Sequence, residues 1–166
     1  LQLRNEEAGM MRGCLSTGLL AACALACAPI GAAEPVEPPE ADSPVATACS
    51  LFDAAISVAA VNYEDFAYAT AGSGDYVNYQ DPNVLSTNVV GRTALRQAAA
   101  AALSASRTDG LPPEVAGPMR TWSLRATKLV VVMGLHGGGD TLNESVNDLN
   151  TDANNAQMAC ARAQLG

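Results

Sequence analysis

Apolar side chains return every three or four positions in four stretches of this chain, and glycine or proline separates one stretch from the next. This spacing places apolar residues on one face of a helix. It predicts four helices, over residues 46–71, 87–107, 114–136 and 140–166. The last helix has the most regular apolar face, formed by Leu142, Val146, Leu149, Ala153, Ala156, Cys160 and Ala163.

The breaks between the helices are formed by residues that cannot continue a helix cheaply. Gly72 ends the first helix, residues 109–113 contain a glycine and two prolines, and a glycine run at 137–139 precedes Asp140, a suitable N-cap. Aromatic residues make up only 4% of the chain, so the helices must pack closely on small side chains. The predicted fold is an all-α, up-down antiparallel four-helix bundle over residues 46–166.

Two cysteines are expected to close this bundle. In an up-down bundle, the start of the first helix and the end of the fourth lie at the same pole, and Cys49 and Cys160 occupy the apolar faces there. In an exported protein such a pair is expected to form a disulfide, the alternative being two buried thiols. Closing a loop of about 110 residues stabilises a fold by up to roughly 4.7 kcal/mol in the chain-entropy model.

Residues 1–33 are expected to be an export signal. A short positive segment is followed by an apolar run from Gly13 to Ile30, and translation is expected to start at Met10 or Met11. A retained membrane anchor is a further alternative, although about 18 residues are barely enough to cross a bilayer.

Two processing routes follow from this segment. Cleavage after Ala33 gives a secreted protein and is the route that we favour. The alternative is a lipoprotein, because residues 20–23 (LAAC) resemble a bacterial lipobox in which Cys23 is acylated. Residues 34–45, rich in proline and acids, are predicted to be a tether. Any membrane attachment is therefore expected only through the signal or a lipid anchor.

The charge distribution excludes one class of partner. The net charge of -8 lacks the basic surface that nucleic acids require. Charged residues from Glu34 to Thr87 are all acidic, whereas those from Arg92 to Lys128 are mainly basic. The first helix is therefore expected to attract the second and third within the molecule.

The connection over residues 72–86 is the candidate binding loop, since bundle connections usually take about 2 to 8 residues and long loops are often functional. It could bind a cation, a polar ligand or a partner edge. Alternatively, its tyrosines only cover the end of the bundle, and Asp81 with Pro82 forms an ordinary helix start, as N-cap and first helical residue. The candidate binding residues are Asp75, Tyr76, Tyr79 and Asp81.

His136 is the only histidine in the chain and defines an alternative hypothesis. Together with Asp140 and a loop carboxylate, it would form the centre of a metal carrier or an enzyme. The sequence has no second histidine, no haem-attachment motif, no phosphate-binding loop and no nucleophile elbow. We therefore predict no catalytic residue, no metal and no cofactor.

Residues 46–166, with segments such as NYEDFAYATAG, TKLVVVMGLHGGGD and NAQMACA, resemble the small alanine-rich exported hypothetical proteins and lipoproteins of mycobacteria. This resemblance implies a secreted or cell-envelope location and no assigned catalytic residue. The expected function is that of an exported, non-enzymatic protein that binds an envelope protein partner or a small apolar ligand.

Overall fold

The computed structural model describes residues 43–74 and 76–165, which contain four helices and no strand. Each helix packs closely on the next in the chain, α1 on α2, α2 on α3 and α3 on α4, whereas α1 and α4 contact each other far less. The predicted all-α four-helix bundle is confirmed. The helices are α1 (Pro44–Thr70), α2 (Pro82–Ala105), α3 (Pro113–Gly134) and α4 (Gly139–Leu165).

The helix starts differ from the predicted ones because capping residues extend two helices. The Ser43 side chain accepts a hydrogen bond from the Ala46 amide, so α1 begins at Pro44, inside the predicted tether. Asp81 caps α2, which begins five residues before the predicted start at position 87. Proline fits the first helical position because it has no amide hydrogen to leave unpaired. The α1–α2 connection is therefore residues 71–81.

The prediction that Asp140 is the N-cap of α4 is wrong. Helix α4 begins at Gly139, so Asp140 lies in its first turn rather than at the N-cap, where its charge still complements the helix dipole. Helix α3 contains Pro118 in its second turn. The carbonyl that loses a partner to this proline belongs to Glu114, which is exposed.

The core is packed mainly through alanine and few aromatic side chains, as the composition predicts. Phe52 and Trp122 meet edge to face with ring centroids 5.5 Å apart. A Cβ atom at Gly91 would lie 3.3 Å from Met133 Cε and 3.5 Å from the Asn62 carbonyl oxygen, so α1, α2 and α3 approach closely there. The buried alanines of α2 are Ala94, Ala98, Ala99, Ala102 and Ala105.

The predicted disulfide is present. Cys49 of α1 and Cys160 of α4 are joined with a Cα–Cα distance of 5.8 Å, and both are buried. The covalent link therefore closes the α1–α4 boundary at the pole where the described chain begins and ends.

The ion pairs lie elsewhere than the charge distribution predicts. Arg125 pairs with Asp148 and Asp152, and Lys128 lies 3.8 Å from Asp148, so these pairs join α3 to α4. Among residues 43–74 and 76–165, no ion pair joins α1 to α2 or α3. Part-exposed pairs of this kind contribute only about 0 to 1 kcal/mol each.

Candidate functional site

The α1–α2 connection places its two tyrosines in different environments. Tyr79 is buried: its hydroxyl donates a hydrogen bond to the Gly137 carbonyl oxygen, and its ring stacks on His136 with centroids 4.4 Å apart and on Phe66 at 6.3 Å. Burial raises the pKa of the Tyr79 hydroxyl. Tyr76 is 74% exposed. Tyr79 therefore ties this connection to the α3–α4 turn, and Tyr76 presents its ring to solvent.

The two carboxylates of the predicted binding loop also differ. Asp81 Oδ1 accepts hydrogen bonds from the Asn83 and Val84 amides at 2.8 and 3.2 Å, which makes it the N-cap of α2. Asp75 lies outside the described residues. Tyr79 and Asp81 thus have structural roles that the sequence analysis had offered as the alternative, and binding at this loop stays a prediction.

His136 lies beyond the end of α3, although the sequence pattern predicts it as the last residue of that helix. Its φ is 57°, and the amides of His136 and Gly137 donate to the Met133 and Val132 carbonyls, a Schellman ending. A Cβ at Gly137 would lie 2.6 Å from Val132 Cγ1, so this position requires glycine. The stack on Tyr79 offsets the cost of a left-handed histidine.

The described residues offer no metal-binding constellation around His136. No group of three or more His, Cys, Asp or Glu side chains comes together among them. Asp140 is exposed in the first turn of α4, and both core cysteines are in the disulfide. The metal-carrier or enzyme hypothesis is an untested alternative, since Asp75 is outside the described part of the chain.

A groove between α1 and α4 forms an apolar site in the bundle. Its deep part, here called the slot, is a cavity of about 70 Å³ that reaches the core tryptophan. Except for Asn150, its lining is apolar or aromatic. The side chains that define it are Ile56, Ala59, Tyr63, Trp122, Val146 and Ala153.

Towards the pole opposite the disulfide lies a wider space of about 490 Å³, here called the mouth. Tyr63 and Val146 line both the slot and the mouth, so the two spaces are adjacent. Burial, with a smaller contribution from Tyr79, raises the pKa of Tyr63 to about 12. The polar side chains at the mouth are the amides Asn143 and Asn147 and the hydroxyl of Thr70, and no described lining residue of either part is charged.

This groove could not be predicted from the sequence pattern. The pattern places Ala153 on the inner face of the last helix, but a periodic pattern treats every alanine on such a face as core. The feature that indicates a groove is the presence of small side chains, including that of exposed Ala60, on both sides of the α1–α4 boundary. Only the separation of the two helices shows that nothing fills the space between them.

Helix α1 is also apolar outside its core-facing side. By length and composition it could cross a membrane, with a hydropathy of 1.6 over its most apolar window, 28% of which is buried. This is weak support for a membrane span, because helices of soluble bundles pass the same test. The apolar residues that α1 exposes include Leu51, Val58, Val61 and Tyr68.

Comparison with known proteins identifies the family but no characterised relative. The model of the Rv2240c four-helix bundle domain matches residues 32–161, which is most of the chain. Neither the curated proteins nor the solved structures gave a match. The mycobacterial name of the family agrees with the resemblance to small mycobacterial proteins. The chain belongs to the Rv2240c four-helix bundle domain family.

Proposed function

We propose that this chain is an exported, non-enzymatic protein of the cell envelope or the external medium, and that the α1–α4 groove binds a small apolar ligand or an apolar segment of an envelope protein. The observation that carries the proposal is an apolar groove that reaches Trp122 and has no charged side chain among its described lining residues. Apolar sites with a few polar groups at the entrance are typical of ligand pockets. No cofactor and no nucleic acid is part of this function.

Ligand binding can be tested on the exported protein, purified without detergent. Native mass spectrometry before and after organic extraction reports a bound ligand. Because Trp122 is the only tryptophan and lines the slot, its emission should change when the ligand is removed. A photo-crosslinking residue at Asn147, at the mouth, should capture a protein segment if that is the occupant. An unchanged mass and emission together with no cross-linked product would contradict the proposal.

The α1–α2 connection is a second surface for a partner, supported by the exposure of Tyr76. Because Tyr79 is buried, a variant that removes both tyrosines would disturb the fold, so Tyr76→Ala alone is the appropriate test. A partner captured equally by the wild type and by Tyr76→Ala would exclude this ring as a contact.

The proposed location follows from the signal segment, which lies outside the described residues. Cleavage after Ala33 predicts the protein in the culture medium, and acylation of Cys23 predicts it in the membrane fraction. Fractionating cells that produce the wild type or Cys23→Ala separates these routes. Membrane association that is lost only in the variant would establish the lipoprotein.

A further inference from the structure

We infer that the α1–α4 groove is a site for a single-chain amphiphile with an uncharged polar head: the end of the alkyl chain enters the slot and the head group lies at the mouth. This inference rests on the proposed function and narrows its ligand to one chemical class. Three properties of the groove point to this class: the size of the slot, the width of the mouth and the lack of charged side chains among the described lining residues.

The size of the slot selects a thin, flexible ligand. Its volume of about 70 Å³ is half that of the cavity of about 150 Å³ that holds a benzene ring. An α-helix with its side chains is about 10 to 12 Å wide, so a partner helix cannot reach this depth either. An alkyl chain is the narrowest apolar shape. It would cover Ala59 and Ala153 and approach Trp122 at the floor.

The mouth has the properties of a head-group site. Its volume of about 490 Å³ lies within the range of about 300 to 1,000 Å³ typical of ligand sites. Asn143 and Asn147 lie one helical turn apart on α4, and each amide can both donate and accept hydrogen bonds. Hydroxyl or amide groups of a ligand need this combination of donors and acceptors.

The electrostatics exclude an anionic head. The described residues that line the slot and the mouth include no lysine, arginine or histidine. The whole chain carries a net charge of -8. A buried or half-buried anion without a positive partner pays a large desolvation cost. Fatty acids and alkyl sulfates are therefore expected to bind poorly compared with a neutral amphiphile of the same chain length.

The test uses the exported protein, purified without detergent, and an alkyl glycoside brominated on its chain, below its micelle concentration. Bromine quenches a nearby indole, so saturable quenching of Trp122 reports entry into the slot. Ala153→Leu fills the slot and should weaken binding by at least about tenfold, since one methylene of misfit is worth about 10- to 200-fold. Ala161→Leu, the same change at an exposed position of α4, should bind like the wild type.

The head-group site has its own variant and ligand. Asn147→Ala should weaken binding of the glycoside by about 2- to 10-fold, the value of one hydrogen bond. An alkyl sulfate with the same brominated chain should bind at least about tenfold more weakly than the glycoside. Circular dichroism and urea unfolding show whether each variant is folded. If Ala153→Leu does not fold, Asn147→Ala still tests the site, because it leaves the slot unaltered.

The outcomes separate this inference from the broader function. Equal binding of glycoside and sulfate would overturn the neutral-head assignment, and equal binding to wild type and Ala153→Leu would overturn the slot. If the glycoside does not quench Trp122 while a protein segment is cross-linked at Asn147, the amphiphile inference is wrong and the proposed function stands. If neither occurs and native mass spectrometry finds no ligand, both are wrong.

Discussion

Replacing Cys49 and Cys160 by alanine should lower the free energy of unfolding by about 5 kcal/mol, a large share of the 5 to 15 kcal/mol typical of a domain. The two cysteines are 111 residues apart in the sequence. In the chain-entropy model, a loop of that length removes about 16 cal/mol/K from the unfolded chain, or about 4.8 kcal/mol at 25 °C. In the folded protein this link joins α1 and α4, which contact each other far less than helices that are adjacent in the chain.

Urea unfolding, followed by Trp122 fluorescence and by circular dichroism, measures this loss. With an m-value of about 2 kcal/mol/M, the midpoint should fall by about 2.4 M. Wild type treated with a reducing agent is the matched control, because it loses the link and retains both sulfur atoms. The unfolding midpoint of the reduced wild type should fall by nearly the same amount as that of the double variant.

A loss below about 1 kcal/mol in both reduced wild type and double variant would refute the reasoning. It would mean that the unlinked chain already holds its ends together when unfolded, so that the disulfide removes little entropy. A large loss in the double variant with none on reduction would instead assign the stability to packing of the sulfur atoms.

Three further changes follow from the contacts described above. Gly91→Leu should lower the free energy of unfolding by about 1 to 3 kcal/mol because Met133 Cε lies 3.3 Å from the Cβ position. Gly117→Ala should change it by less than about 1 kcal/mol, because the gain in helix propensity is opposed by the contact of the new Cβ with the ring of Pro118. Asp81→Ala should lower the free energy of unfolding by about 1 kcal/mol because it removes the N-cap of α2. Asp81→Asn should lower it much less, because asparagine can still cap the helix. Finally, Tyr63 ionises near pH 12 in the folded protein and near 10 in the unfolded chain, so stability should be full below pH 10 and fall by about 2 to 3 kcal/mol as the pH rises to 12.

Urea unfolding measures each of these effects, the last of them at several pH values with Tyr63→Phe as the control. Close packing of α1, α2 and α3 at Gly91 is contradicted if Gly91→Leu is no more destabilising than Gly117→Ala. Equal losses for Asp81→Ala and Asp81→Asn would show that charge, rather than the cap, matters there. A fall in stability above pH 10 that is unchanged in Tyr63→Phe would belong to other groups.

The four helices and the disulfide could be predicted from the sequence because each depends on a local or a topological rule. Apolar periodicity located the helices, and the up-down order brought Cys49 and Cys160 to one pole. The start of α2 was misplaced because its first turns carry polar residues that interrupt the apolar pattern, although the Asp81 cap was visible.

The site was less predictable because it depends on distances between elements. The hydrogen bond from Tyr79 to Gly137 joins residues that are 58 apart in the sequence. No local sequence pattern around either residue predicts it. The groove depends on how far α4 lies from α1, which is set by the sizes of side chains on four helices together. Ala59 at the groove and Ala99 in the packed core have the same character in the sequence.

The disulfide also determines how this protein responds to a protease. A cut in the connection between α2 and α3, residues 106–112, divides the chain into an α1–α2 hairpin and an α3–α4 hairpin, and each retains one cysteine of the pair. The two fragments stay joined, at a high effective concentration that favours their remaining packed. A nicked molecule would therefore run as one species on a non-reducing gel and as two after reduction. If the protein is exported as proposed, it meets proteases where reductants are scarce, and a single cleavage there would leave the bundle and its groove in place.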